Sequence, residues 1–176
     1  MNDIMLDLET MGTDANAAII AIGAVGFDIN TRAIGDTFYV TVTLESSVKH
    51  GGVIDPSTVL WWMEQGDEAR SGFSSATTSI EHALSQFSSW AGTQSSVSSL
   101  RVWGNGAGFD NVVLGSAYKR LGMSAPWKFW NDRCYRTIKA QYPNVRLVRM
   151  GTHHNALDDA ISQAKHLINM LNPTPV

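Results

Sequence analysis

Near the start of the chain, hydrophobic and polar residues fall on two faces. In the run IMLDLE, Ile4, Leu6 and Leu8 fall on one face and Met5, Asp7 and Glu9 on the other, the period of two of a β-strand. The next run, AAIIAIGAVGFD (residues 17–28), is apolar on both faces and reads as an interior strand. TFYVTV (residues 37–42) alternates again and is rich in β-formers. Turn residues at 12–16 and 28–30 separate these runs, so a three-stranded antiparallel meander is expected.

The period then becomes helical. Asp55 sets a capping acid ahead of Pro56 at the first helical position, and VLWWMEQ continues the helix. Thr78 and Glu81 have capping-box spacing, followed by Ile80, Leu84, Phe87 and Trp90 at helical intervals. The Ser-rich stretch 92–99 reads as a loop. Residues 100–103 form a short strand, the turn GNGAG follows, and a helix then carries Val113, Ala117, Tyr118 and Leu121. Residues 128–130 are expected as a strand with a basic helix behind it. The last helix carries Leu157, Ile161, Ala164, Ile168 and Leu171 and ends near Asn172-Pro173. Strands first, then strands mixed with helices, predict an α/β fold. It is a layered domain spanning 1–176, with three antiparallel strands plus parallel strands in one mixed sheet flanked by helices.

Composition narrows the class. With 176 residues, 44% of them hydrophobic, and six tryptophans, the chain can bury a real core, which excludes disorder as its main state. Cys134 has no partner, which excludes a disulfide scaffold and points to a reducing cytoplasm. The longest apolar run, residues 17–27, is far short of the about 20 residues a membrane span needs. No basic region precedes an apolar stretch at the N-terminus, so no secretory signal is expected. The net charge of −3 conceals an asymmetry: residues 1–100 carry three basic and twelve acidic residues, and residues 101–176 carry ten and four. Arg133, Arg136, Lys139, Arg146 and Arg149 fall in a stretch, 133–157, without an acid. Such a segment can track a phosphate backbone, and it is equally what a solvated face looks like. The overall acidity argues against coating duplex nucleic acid by charge alone.

The candidate chemistry lies in the carboxylates. Asp7 and Glu9 share a strand face and repel each other unless a cation sits between them; oxygen-only ligands favour Mg²⁺ or Mn²⁺ over Zn²⁺. The wet face of an edge strand would also carry such a pair. Asp110, behind Phe109, opens a helix, where an acid also complements the helix dipole. In HNALDDA, His154 and Asp159 are five apart, about 140° on a continuous helix. They converge only if His154 lies in the preceding loop, where Gly151 and the His pair favour one; a lone histidine otherwise serves packing.

The order of the pieces is more specific than any one of them: DLET on the first strand, an aromatic–Asp pair opening a helix mid-chain, and H-x-A-x-x-D-A opening the last helix. In this the sequence resembles the DnaQ-like 3′–5′ exonucleases of ribonuclease-H-like fold, of the subtype with four acids and a histidine (DEDDh), over roughly residues 4–171. MLDLETMGT, VLWW and WGNGAGFDNVVL look closest to the phage and prophage branch, with phage exonuclease A, the exodeoxyribonuclease-VIII-like proteins and a mycobacterial exoribonuclease domain. The resemblance implies metal-dependent 3′–5′ hydrolysis of single-stranded nucleic acid to 5′-mononucleotides, DNA ahead of RNA. Asp7, Glu9, Asp110 and Asp159 match the acids that hold two Mg²⁺ or Mn²⁺ ions, and His154 matches the general base. Two such ions activate a water and stabilise the leaving oxygen, with Asp7 expected to bridge them, Glu9 and Asp159 on one, and Asp110 reaching the other through water. Thr10 and Met11 match the segment that touches the terminal nucleotide; Asp158 is not assigned to a metal.

Further substrate contacts are expected from Trp62, which could stack a base or join the core, from Phe109, and from Asn105. The expected partners are the 3′ end of single-stranded DNA or RNA and, beyond it, a second copy of the chain; a membrane is not among them. A ribonuclease H or transposase-type endonuclease of the same fold would lack H-x-A-x-x-D. A non-catalytic module would not need every acid. A phosphate-loop enzyme fails on the spacing of Gly104, Gly106 and Gly108. Residues 71–99 match no motif.

Overall fold

The computed structural model describes residues 1–172. Within them, β1 (Asp3–Thr10), β2 (Ile19–Asp28) and β3 (Ala33–Thr41) form the expected antiparallel meander. The helices α1 (Leu44–Lys49), α2 (Pro56–Glu64), α3 (Asp67–Ser74) and α4 (Ile80–Gln94) follow. Then come β4 (Arg101–Gly104), α5 (Asp110–Arg120), β5 (Asp132–Cys134), α6 (Tyr135–Gln141) and α7 (Ala156–Leu171). The sheet order is β3-β2-β1-β4-β5, with β4 parallel to β1 and β5 parallel to β4. The first strand is therefore central, paired on both sides, and its acid pair is not the wet face of an edge. Nine of the ten β2 residues are buried, in keeping with a run apolar on both faces.

Strand alternation sends the two faces of β1 into different cores. Ile4, Leu6 and Leu8 pack with Leu84 and Phe87 of α4 and Val113 and Tyr118 of α5. Met5 packs on the other side with Trp103, Tyr135 and the α7 residues Ala160, Ala164 and Leu167. Asp3 is buried at the start of β1 and pins it to β4: its carboxylate accepts from Arg101 Nε (2.7 Å) and Trp103 Nε1 (2.8 Å). A third cluster gathers Met11, Ala18, Ile20 and Trp62 under α2 and α3.

Several local expectations shift. The 128–130 stretch is not a strand: Phe129–Asn131 form a 3₁₀ turn and β5 starts at Asp132. Trp127 is buried beside Tyr118 and its indole N–H donates to Asp132 Oδ1 (2.8 Å), so the chain turns around that contact and leaves Phe129 and Trp130 exposed. The cap of α4 is Ser79, whose hydroxyl accepts from the His82 N–H, rather than Thr78; α4 itself runs on to Gln94. The short helices α1 and α3 carry no long apolar stripe and were not expected. The helix stop at Pro173 lies outside the described residues.

Gly23 sets where α7 meets the sheet. It pairs with Asp7 across the β1–β2 ladder. A Cβ at Gly23 would lie 2.2 Å from the Ala156 carbonyl carbon and 2.3 Å from the Leu157 nitrogen, which are backbone atoms of the first turn of α7. Only a bare backbone permits that approach. Gly23→Ala is expected to cost about 1–3 kcal/mol in urea unfolding, because backbone cannot rotate away as a side chain can.

Candidate active site

Asp7 and Glu9 project from the α7 side of β1, and α7 brings Asp159 to them from its first turn. The three residues offer carboxylate oxygens within 4.8 Å of one another. Asp110 enters from the start of α5 and is buried. Both its oxygens accept backbone N–H groups, Oδ1 from Leu8 (3.2 Å) and Oδ2 from Asn105 (2.9 Å). All four acids line a cavity of about 260 Å³ together with His154, Gln163, Arg136, Lys139 and Arg149.

Burial and crowding dominate the electrostatics. Burial first, then Asp110 and Glu9, hold the Asp7 carboxyl well above the ordinary range; the Gln163 amide, donating to Asp7 Oδ1 (2.8 Å), opposes this. The Glu9 carboxyl is pushed up to about 9 by burial and by Asp159 and Asp110. Asp110 is raised to about 6 by burial, against the pull of its backbone donors and Arg136. Asp159 is tied on both oxygens, to Arg149 Nη1 (2.7 Å) and to the His154 N–H (3.0 Å).

His154 lies in the loop before α7, as convergence with Asp159 requires, and its φ is +64°. Asn155 caps α7 through the Leu157 and Asp158 N–H groups. The loop is stitched to α7 at further points. His166 Nε2 meets the Val145 carbonyl (2.8 Å), the Met150 N–H donates to Ser162 Oγ (2.8 Å), and the Thr152 N–H donates to Asp158 Oδ2 (2.7 Å). Asp158 thus serves the loop. The half-buried His154 ring lies edge-to-face with Trp61 at a centroid distance of 4.8 Å. Burial first, then the neighbouring His153, lower its pKa, against the pull of Asp159.

Two further cavities adjoin the acids. One, of about 480 Å³, shares Leu8, Glu9 and Phe109 with the acidic cavity and adds Thr10, Gly12, Thr13, Ser57, Thr58, Trp61 and Trp62. The other, of about 510 Å³, shares Asn105, Arg136 and Lys139 with it and adds Ala140, Tyr142, Pro143 and Val145.

Asp7, Glu9, Asp110, Asp159 and His154 therefore come together as expected, and Thr10, Asn105 and Phe109 lie at the rim. Met11 does not: its side chain is buried in the third cluster, and its backbone is taken up by Ala18 and Asp55. Trp62 is also a core residue, 3% exposed, with its indole N–H donating to the Thr10 carbonyl (2.9 Å). The open indole face belongs to Trp61, 40% exposed. Gln163 was missed as a member of the site, and Arg149, expected only as part of the basic segment, is bonded to Asp159. Gln163 did leave a signal, a polar residue one turn beyond Asp159 among the buried residues of α7.

A family model described as the 3′–5′ exoribonuclease Rv2179c-like domain matches residues 2–171. The chain belongs to this family. It is a 3′–5′ exonuclease domain with the mixed α/β sheet of the ribonuclease-H-like exonucleases. An exodeoxyribonuclease of Enterobacteria phage T4 is 27% identical over 161 residues, covering 78% of this chain and 70% of the relative. Among solved structures, the nuclease domain of 3′hExo, a DEDDh family member bound to rAMP, superposes with a TM-score of 0.64 at 15% identity. That match covers 96% of this chain and 90% of the other. Exonuclease X in complex with 5′ overhanging duplex DNA gives a TM-score of 0.59 at 17% identity, again over 96% and 90%. No described helix is long and apolar enough to cross a membrane.

Raised carboxyl pKa values carry a stability consequence. The folded chain holds the Glu9 proton up to about pH 9, whereas the unfolded chain releases it near 4.5, so over that window the folded state binds more protons. Stability then falls as pH rises. In chelator, the unfolding midpoint should decline from pH 5 to pH 9; Glu9→Gln should flatten the decline, and Mn²⁺ should reverse it in the parent chain.

Proposed function

We propose that residues 1–176 form one metal-dependent 3′–5′ exonuclease domain. It hydrolyses single-stranded nucleic acid, DNA foremost, from the 3′ end and releases 5′-mononucleotides. The observation that carries this is the convergence of Asp7, Glu9 and Asp159 within 4.8 Å, with Asp110 and His154 on the same cavity.

The donor set fits a hard divalent cation. Its ligands are carboxylate oxygens, and crowding that raises the Asp7 and Glu9 carboxyls is relieved when positive charge replaces protons. Asp7, Glu9 and Asp159 are the residues to hold it, with Asp110 completing the set for a second ion. Mg²⁺ or Mn²⁺ bound there supplies a Lewis acid for the phosphodiester and lowers the pKa of a water.

The chain's own groups do the rest. His154, its pKa lowered, is neutral at pH 7 and free to take the proton of the attacking water. Gln163 orients Asp7, and the backbone N–H groups of Leu8 and Asn105 hold Asp110 in place. The aromatic cavity beyond Glu9 suits the terminal nucleoside, with Trp61 and Phe109 offering ring faces and Thr10 its wall. One nucleotide beyond the acids is the geometry of an exonuclease.

DNA as first substrate is supported by the phage T4 relative, named an exodeoxyribonuclease. A second reading, RNA, is supported by the family's description as exoribonuclease. Matched DNA and RNA strands labelled at the 3′ or 5′ end, digested with Mg²⁺, Mn²⁺ or chelator, decide direction, substrate and metal together. A 5′-labelled strand should shorten one nucleotide at a time; cleavage of closed circles would contradict the reading.

His154→Ala should lower turnover of a single-stranded oligonucleotide about 10²–10⁴-fold with the fold intact. Asp7→Ala should abolish metal-dependent cleavage and weaken Mn²⁺ binding in calorimetry.

A further inference from the structure

The acidic cavity has two different neighbours, and their chemistry gives the site a direction. On the Glu9 side lies the cavity of Trp61 and Phe109, and on the Asn105 side the one crossed by Arg136 and Lys139. Arg136 and Lys139 stand three residues apart on one exposed face of α6 and line both the acidic cavity and its basic neighbour. The helix under them is anchored: Tyr135 is buried and its hydroxyl meets His166 Nδ1 at 2.6 Å. Arg136 is held as well, donating to the Asn105 carbonyl at 2.7 Å over the turn in which Gly106 takes φ +103°. Residues 133–157 contain no acid, and the acids that face Arg136 and Lys139 are those of the acidic cavity itself, Asp110 foremost.

A single strand lying across three such cavities meets aromatic rings at one end, the acids in the middle and two cations at the other, Arg136 held in place and Lys139 exposed. Phosphates carry the negative charge and are repelled by carboxylates, so the cations mark where the strand continues. We infer that the basic cavity over α6 is the upstream subsite. There Arg136 and Lys139 bind the one or two phosphates 5′ to the scissile bond, while the 3′-terminal nucleoside occupies the aromatic cavity. The inference rests on the exonuclease reading above and adds the polarity of the strand and the residues that read its length.

The consequence is a length dependence. A dinucleotide without a 5′-phosphate fills the acidic and aromatic cavities and leaves Arg136 and Lys139 without a phosphate. A decanucleotide engages them. The test is kcat/KM on unphosphorylated dTpdT and on single-stranded dT10 for the parent chain, Lys139→Glu, Arg136→Gln with Lys139→Gln, and a control. The control is Lys119→Glu, an exposed charge change in the last turn of α5.

In the parent chain dT10 should exceed dTpdT. Lys139→Glu should lower the dT10-to-dTpdT ratio about tenfold or more, mainly through KM. The double glutamine variant should do the same and flatten the salt dependence of kcat/KM on dT10, where each lost phosphate contact is worth about 0.7 in the logarithmic slope. Lys119→Glu should leave the ratio as it is. Equal rates on both substrates in the parent chain, or a ratio unmoved by Lys139→Glu and the double variant, would overturn the inference while leaving the exonuclease reading in place. Absence of cleavage of either substrate by the parent chain with Mg²⁺ or Mn²⁺ would overturn both.

Discussion

Carboxylates forced into one cavity repel, and the rest of this molecule is arranged to hold them there. Asp7 and Glu9 cannot separate, because strand geometry fixes them two residues apart on a strand paired with β2 at both positions. Their oxygens converge with those of Asp159 within 4.8 Å, at the cost of carboxyl groups that keep their protons far above the usual range. Donors are placed around the cluster rather than within it: the Gln163 amide on Asp7, backbone N–H groups on Asp110, Arg149 and the His154 N–H on Asp159. Each satisfies an oxygen of the cluster. Protein charge alone does not neutralise the arrangement; the divalent cation proposed for the site would.

Holding α7 against that repulsion takes close packing. Its first turn rests directly on Gly23, the cross-strand partner of Asp7, and its apolar face buries Ala160, Ala164 and Leu167 against Met5 and Trp103. The same helix anchors the segment that delivers His154. That stretch has no regular structure between α6 and α7, yet its backbone is bonded to Asp158, Asp159, Ser162 and His166. A loop so tethered behaves as part of the helix it precedes. This is how a residue at φ +64° is kept in register with a carboxylate five positions later.

The parts legible in the sequence are those where periodicity and position coincide. The two-faced pattern of IMLDLE gave both the strand and the face of the acids, and the apolar run 17–28 gave its inner neighbour. The five-residue gap between His154 and Asp159 demanded a loop followed by a helix, and that is what forms. What stayed illegible depends on partners distant in the chain. Nothing in WW says which indole is buried; Trp62 is, because the Thr10 carbonyl, 52 residues away, takes its N–H. Met11 follows the DLET motif directly, yet the third cluster under α2 and α3 draws it inward. Aromatic residues at 129–130 suggest a strand until Trp127 is seen to fold back onto Asp132. Gln163 reads as one more polar residue of the last helix until Asp7, 156 positions earlier, is placed beside it.

The charge asymmetry along the chain now has a spatial meaning. The acids of β1 come from the half of the chain with twelve acidic and three basic residues; Arg136, Lys139 and Arg149 come from the half with ten basic and four. Folding sets one against the other across a single cavity. A net charge of −3 would disfavour a polyanion if it were spread evenly, but attraction at a surface depends on the local field. Screening confines that field to about 8–10 Å at physiological salt, so acids on other faces of the sheet weigh little at α6. Of the carboxylates on that cavity, Asp7, Glu9 and Asp110 are held above the ordinary range by burial. On the proposed reading, a cation at the acids would meet the site's own charge and leave the basic rim free to hold a phosphate backbone beside it.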